Sequence, residues 1–369
     1  MQTLKAFRGS LIVSAVVLIL VGVLSRSLAL VATAAVLAVL EVTLSFDNAV
    51  VNAKYLKKMS PLWQKLFLTV GVLIAVFGMR LVFPIVIVAL TANLGFSEVI
   101  NLALNDSATY AKELDSAKSA IYSFGGIFLL MIFLDWLFEE KEIRWLRPLE
   151  SALERLGKLD QLSVVIASLL VLLASTVVPS GEAKTVLFSG FTGLVIYLVV
   201  AGLDSFFEGD DDEEDEQPVA SRGGAGAVAA VGKAGFATFL YLEVLDASFS
   251  FDGVIGAFAI STNVLVIAAG LGIGAVFVRS LTVYLVRQGT LAEYRYLDHG
   301  AHWAIGALAI ILLLELEYHI SAAVTGLLGL AFILAAYTSS VLANRKDSRE
   351  LLQERLADDG RGIDERARV

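Results

Sequence analysis

Two pairs of acidic residues lie in stretches of sequence that are otherwise apolar. Glu41 and Asp47 occur in EVTLSFDNAVV, and Asp246 and Asp252 occur in DASFSFDGVIG. A charge at the centre of a membrane-spanning helix costs roughly 2.5–3.5 kcal/mol, so acids in such stretches indicate function. The oxygen ligands at hand, from carboxylate, hydroxyl, amide and carbonyl groups, suit hard cations such as Mg²⁺, Ca²⁺ or Mn²⁺. Crowded carboxylates also bind protons readily, which is compatible with proton coupling.

Small polar residues stand four positions after the first acid and four before the second in both stretches: Ser45, Thr43, Ser250 and Ser248. The two acids of a pair are six residues apart, which is about 240° around a continuous helix. Two arrangements fit this spacing. Either the helix breaks near 44–48 and 249–253, which Asn48 and Gly253 would tolerate, or one acid faces a site and the other a neighbouring helix.

Further ionisable residues recur in the later apolar segments. Arg80 and Arg279 lie centrally in two of them, where they would either neutralise acids or shape a site. Asp135 and Glu315 lie nearer segment ends, and both an interfacial and a functional role fit them. Glu243 lies one turn before Asp246 and has no acidic counterpart in the first half. The acids outnumber the two arginines, and the surplus requires protons or a cation.

The elements that must position these residues are membrane-spanning helices. The 369-residue chain is 57% hydrophobic and 18% charged and has no cysteine, which excludes disulfides, thiolate metal sites and cysteine nucleophiles. A spanning helix needs about 20 mostly apolar residues. We therefore predict an all-α polytopic membrane protein with ten spans: 9–25, 28–52, 66–90, 119–138, 162–178, 184–204, 235–259, 264–286, 300–316 and 320–341. The first could be a cleaved signal peptide, but we expect it to be retained, because no clear cleavage site follows.

The basic residues predict the orientation of these spans. With the N-terminus in the cytoplasm, most of the 28 lysines and arginines fall on the inner side. Two of the remainder, Arg80 and Arg279, lie within spans, and only four fall outside: Arg26, Lys112, Lys118 and Lys184. This asymmetry predicts an even number of spans and two cytoplasmic termini, as in a multi-pass protein of a bacterial inner membrane.

The two halves of the chain carry matching landmarks. Aligning Asp47 with Asp252 aligns Glu41 with Asp246 and repeats Ser-Phe-Asp. In the next span, Gly71 precedes Arg80 by nine residues and Gly270 precedes Arg279 by nine. In the span after that, Gly126 precedes Asp135 by nine and Gly306 precedes Glu315 by nine. Because the offset is five spans, the second half would be inverted, as in many secondary transporters whose substrate sites lie near the midplane.

These landmarks divide the chain into three regions. Residues 1–180 form the first predicted repeat and 181–341 the second, which includes an acidic loop at 205–234, and 342–369 form a charged cytoplasmic tail. The acidic run at 208–217 is expected to be solvated and disordered. Neither the acidic run nor the charged tail indicates a nucleic-acid partner. The expected partners are the bilayer, the transported ion and protons.

The two acidic stretches resemble the TerC/Alx-like integral membrane proteins, which are related to the LysE-type transporter superfamily. That family pairs a Glu-x5-Asp-Asn motif in an early helix with an Asp-x5-Asp motif in the second half, here Glu41, Asp47, Asn48, Asp246 and Asp252. The Gly-x8-Arg helices also look similar. The resemblance implies export of Mn²⁺ or another divalent cation and a link to tellurium resistance. Gly253 and the acids at 135 and 315 depart from the pattern and indicate a divergent branch.

The predicted function is therefore a divalent-cation exporter with those five residues as its metal site and no prosthetic group. Three alternatives fit less of the pattern. A transporter of a small organic cation or amino acid would use the same carboxylates. An intramembrane aspartyl protease would need only Asp47 and Asp252, and would leave the arginines unexplained. A non-transporting scaffold would act through the acidic run at 208–217.

Overall fold

The structure of the chain is a computed structural model that describes residues 2–159, 161–212, 224–261, 263–288 and 293–366. Within these ranges some side chains are not described, among them those of Asp47, Ser250, Phe251 and Asp252. Throughout the described part of the chain the regular elements are helices, so the all-α prediction is confirmed.

The helices of the first half connect by short turns. They are α1 (Gln2–Ser25), α2 (Leu28–Leu44), α3 (Phe46–Lys58), α4 (Pro61–Leu66), two π-helical segments (Phe67–Gly71 and Ile74–Val82), α5 (Phe83–Thr91), α6 (Phe96–Asn105), α7 (Ser107–Ser116), α8 (Lys118–Phe138), α9 (Arg147–Leu156) and α10 (Leu162–Val177). The second half continues with α11 (Ala183–Asp212), α12 (Gly224–Ile260), α13 (Val264–Gln288), α14 (Leu297–Leu314) and α15 (Ala322–Arg366).

Seven helical stretches of the described residues are long and apolar enough to cross a membrane, and the chain is thus a multi-pass membrane protein. They are Phe7–Ser25, Pro61–Thr91, Lys118–Phe138, Ala183–Gly202, Val264–Arg287, Leu297–Leu314 and Val324–Asp347. The bent pair α2 and α3 would make an eighth crossing. Of the remaining predicted spans, 162–178 corresponds to the shorter apolar helix α10, and 235–259 lies within the long helix α12.

Large apolar side chains cover the outside of the bundle. Leu24 and Leu28 are 82% and 84% exposed, and Phe188 is 76% exposed. A water-soluble protein rarely exposes apolar surface on this scale, whereas such a surface suits the hydrocarbon of a bilayer.

The interior of the bundle is built around α8, which packs between α11 and α14. Gly126 of α8 lies against Leu313, since a β-carbon there would be 3.1 Å from its side chain. Gly306 of α14 lies in turn against the ring of Phe133, since a β-carbon on Gly306 would be 2.7 Å from that ring. Small residues let membrane helices approach closely, and these two glycines set the α8–α14 crossing.

The region between the two halves is more helical than predicted. Helices α11 and α12 cover 205–212 and 224–234 of the predicted loop, so the acidic run begins inside a helix, and residues 213–223 lie outside the described residues. The sequence GAGAVAAVGKA at the start of α12 is rich in alanine, the best helix former, which explains its helical state. The charged tail likewise continues α15 as a helix as far as Arg366.

Candidate functional site

The first acidic motif contains a helix break, as one of the two predicted arrangements requires. Helix α2 ends at Leu44 and α3 begins at Phe46, with Ser45 between them at φ −102° and ψ 17°. The two helices are bent by 57°. The Ser45 hydroxyl donates to Glu41 Oε1 at 3.0 Å, so the serine of the motif binds its first acid.

The second acidic motif contains no break, so at 249–253 the continuous helix is the one of the two predicted arrangements that is observed. Helix α12 runs without interruption from Gly224 to Ile260. Gly253 serves close packing instead, because a β-carbon on it would lie 2.6 Å from Glu41 Oε2. The Ser248 hydroxyl donates to the Val244 carbonyl at 3.0 Å, inside its own helix.

The two motifs meet where α2 and α3 cross α12. Asn48 Nδ2 donates to Asp246 Oδ1, and Glu41 packs against Gly253. Each contact joins the first acid of one motif to the residue that follows the second acid of the other. All four residues are buried. The motifs, 205 residues apart along the chain, therefore share one site, which we call the carboxylate crossing.

A buried arginine binds the first acid of each motif. Arg80 Nη2 pairs with Glu41 Oε1, and Arg279 Nη2 pairs with Asp246 Oδ2 at 2.9 Å. The arginines are 6% and 4% exposed, and both acids are 5% exposed or less. A charge that deep inside a protein must be paired, so of the two predicted roles of the arginines neutralisation is the one observed.

The surroundings of the two arginines differ. Arg80 lies in the second π-helical segment, and its Nη1 also donates to the Ala75 carbonyl five residues earlier. π-helical turns are rare and occur frequently at functional sites. Arg279 lies over the ring of Phe67, 3.8 Å from the centroid, in a cation–π contact.

Glu243 adds a second carboxylate beside Arg279. Its Oε1 is 3.5 Å from Arg279 Nη2, and a β-carbon on Gly71 would lie 2.5 Å from the same oxygen. Glu243 Oε2 is buried and has no hydrogen-bond partner among the described residues. Glu243 thus belongs to the carboxylate crossing. Among the described side chains Arg279 pairs with two acids and Arg80 with one.

The remaining predicted site residues divide into two groups. The side chains of Asp47, Asp252 and Ser250 lie outside the described residues, although the backbone puts both aspartates next to Asn48 and Gly253. The Thr43 hydroxyl donates to the Val39 carbonyl at 2.8 Å on an exposed part of α2. The predicted role of Thr43 in the site therefore has no contact to support it.

Asp135 and Glu315 are bound elsewhere in the bundle. Asp135 is exposed near the end of α8, where Tyr197 donates to its Oδ2 at 2.6 Å. It lines a cavity of about 460 Å³ together with Glu139 and Gln161. Glu315 follows the end of α14, is buried and hydrogen-bonds Tyr122.

Sequence reasoning missed a polar network beside α9. Glu150 is fully buried: it binds His299 Nδ1 at 3.1 Å, the Trp303 indole N–H at 3.3 Å and the Trp145 backbone N–H at 2.9 Å. Glu154 lies four residues after Glu150 and pairs with Arg144 Nη2 at 2.7 Å. This ion pair keeps the pKa of the Glu154 carboxyl below its ordinary value. The signal was the amphipathic segment RPLESALERL, whose acids recur at helical spacing.

The described side chains contain no group of three or more acids or histidines arranged to hold a metal ion. The oxygens that the crossing offers are those of Glu41, Asp246, Glu243 and Asn48, with Asp47 and Asp252 adjacent in sequence.

Fold and site together define an all-α multi-pass membrane protein with ion-paired carboxylates buried where its helices cross. The chain belongs to the DUF475 family, described as proteins of unknown function, whose family model matches residues 46–347. No curated protein and no solved structure matches the chain.

Proposed function

We propose that this protein is a secondary transporter that exports a divalent metal cation across a bacterial inner membrane. The proposed substrate is Mn²⁺ in preference to Mg²⁺ or Ca²⁺. The observation that carries the proposal is the carboxylate crossing, where Asn48 binds Asp246 and Glu41 packs on Gly253. Buried ionisable groups that face a bundle interior are typical of ion pathways. The resemblance to the TerC/Alx-like proteins points to the same substrate class.

The proposal includes two inverted repeats of five spans, ten in all, with both termini in the cytoplasm. Its support is reciprocal packing about two crossings. Glu41 contacts Gly253 while Asn48 contacts Asp246, and Gly126 contacts Leu313 while Gly306 contacts Phe133. Under the alignment of the halves each contact is the image of its partner, which is the pattern of an isologous, two-fold interface. Inverted repeats place the substrate at such an interface.

The charge balance of the crossing favours a divalent ion. Glu41 and Asp246 are each compensated by an arginine. In the proposal Glu243, which shares Arg279 with Asp246, carries a proton. The second acids, Asp47 and Asp252, then supply the two remaining negative charges, and Asn48 contributes an amide oxygen. Two carboxylates with neutral oxygen donors match the preference of Mn²⁺, Mg²⁺ and Ca²⁺, and protons that displace the ion would couple transport to the proton gradient.

The proposal is tested by removing the second acids. Asp47→Asn and Asp252→Asn should each abolish Mn²⁺ uptake into inside-out membrane vesicles while the protein still inserts in the membrane. Asp115→Asn is the matched control, because that side chain is 68% exposed and its ion pair within the described part of the chain is to Lys118, at 3.5 Å. Transport at the wild-type rate in both Asp47→Asn and Asp252→Asn would refute the assigned site.

A further inference from the structure

Two tyrosines contact each other on one side of the carboxylate crossing. Tyr55 of α3 and Tyr241 of α12 have ring centroids 4.9 Å apart and hydroxyl oxygens 3.2 Å apart. Tyr55 lies seven residues after Asn48 and Tyr241 five before Asp246. The tyrosine pair is therefore roughly 7–11 Å along the helices from the Asn48–Asp246 bond. It lies toward the end of α3 that carries Lys54 and Lys57, which is the cytoplasmic end in the proposed topology.

An unsatisfied amide lies between the tyrosine pair and the crossing. Asn52 is one turn after Asn48, on the face of α3 that also carries Tyr55. It is fully buried, and neither its Nδ2 nor its Oδ1 has a hydrogen-bond partner among the described residues. Buried amides are almost always bonded, so Asn52 has hydrogen-bonding capacity that the described residues leave unused.

Further aromatic packing lies outside the tyrosine pair on the same side. Trp63 packs at a tilt against Phe239 and Phe236, with ring centroids 5.7 and 6.1 Å apart, and contacts Gly235 of α12. On the opposite side of the crossing, alignment of the halves makes Ile260 and Val36 the counterparts of Tyr55 and Tyr241. Those residues are aliphatic and are 45% and 54% exposed. The two counterpart positions therefore cannot form the hydrogen-bonded aromatic pair that Tyr55 and Tyr241 form on the lysine-rich side.

We propose that Tyr55 and Tyr241 form the cytoplasmic gate of the transport pathway, and that Asn52 lines the passage for a hydrated cation directly behind it. The inference rests on the proposed function for the identity of the cation. In the structure the gate is closed, and opening it requires α3 to separate from α12. Because the chain bends by 57° at Ser45, α3 is not a rigid extension of α2 and can move while α2 stays in place.

The test uses the absence of cysteine from the chain, which makes an introduced Asn52→Cys the only thiol. A membrane-impermeant maleimide is added from the cytoplasmic side of inside-out vesicles. With both tyrosines present, labelling should be slow. In the Tyr55→Ala/Tyr241→Ala background it should be faster by about tenfold or more, and in the double Phe background, which keeps the rings and removes one hydrogen bond, by roughly fivefold.

Lys57→Cys, on the exposed end of α3, is the matched control and should label rapidly in every background. Equal labelling of Asn52→Cys with and without the tyrosines would overturn the proposal, and so would an absence of labelling in the double Ala variant. These rates do not depend on the substrate. If they follow the prediction while the wild-type protein moves no Mn²⁺, the gate stands and the proposed substrate fails.

A second measurement covers the case in which Asn52→Cys disrupts folding. A Tyr55→Cys/Tyr241→Cys variant should be cross-linked by a short bis-methanethiosulfonate reagent that spans the space of the two rings, and Mn²⁺ uptake should fall to background and return after reduction. Each single cysteine variant should form no internal cross-link with this reagent. Failure of the pair to cross-link would show that these positions do not meet and would also overturn the gate.

Discussion

The first acid of each motif is a buried, neutralised group. Glu41 accepts from Arg80 and from Ser45, and Asp246 accepts from Arg279 and from Asn48. Such pairs contribute little net stability, because the desolvation cost offsets their attraction. Removing one partner is nevertheless strongly destabilising, because the other charge stays buried without compensation for its desolvation. The arginines therefore neutralise the first acids, and Glu243 adds a further carboxylate beside Arg279.

Arg80→Gln is expected to destabilise the protein by about 3–5 kcal/mol, because Glu41 remains buried without a partner. Adding Glu41→Gln should recover much of that loss. The measurement is the unfolding free energy in detergent for the two single variants and the double variant. Arg155→Gln, at an exposed position on α9, should stay within about 0.5 kcal/mol of wild type. Equal effects of Arg80→Gln and Arg155→Gln would contradict the ion pair.

The equivalent elements of the two halves differ in form. The first motif is bent at Ser45, whereas the second is a continuous helix in which Gly253 gives Glu41 room. The sequence permitted both forms, because Asn48 and Gly253 tolerate either a break or a close approach. The packing of α12 against Glu41 decides between the two forms. Because this contact joins residues more than 200 positions apart, local sequence could not predict it.

Gly253→Ala tests this packing. Alanine favours helix over glycine, so an effect on the helix alone would stabilise α12. The new β-carbon would instead meet Glu41 Oε2 at 2.6 Å, and we expect a loss of about 1–3 kcal/mol together with reduced transport. Gly202→Ala on α11, which has nothing within 4 Å, should be neutral or slightly stabilising. A Gly253→Ala protein as stable and active as Gly202→Ala would exclude the contact.

On the scale of the whole molecule, apolar runs and ionisable residues predicted most of what positions the site. The all-α membrane class, the placement of Arg80 and Arg279 beside the acids and the meeting of the two motifs all follow from spacing. The Glu150 network did not, because it joins α9 to His299 and Trp303 of the distant helix α14. The π-helical turns around Arg80 did not either, because apolar spacing does not distinguish them from α-helix. The ten-span inverted repeat remains a prediction, which the reciprocal packing at the two crossings supports.

The central claim, that the chain exports Mn²⁺ through the carboxylate crossing, has one direct measurement. Cells that lack the protein and cells that express it are exposed to excess Mn²⁺, and total cellular manganese is measured by elemental analysis. The account predicts lower manganese with the wild-type protein than without it, and no reduction with the Asp47→Asn variant present at the same level in the membrane. Equal manganese with and without the wild-type protein would contradict the account.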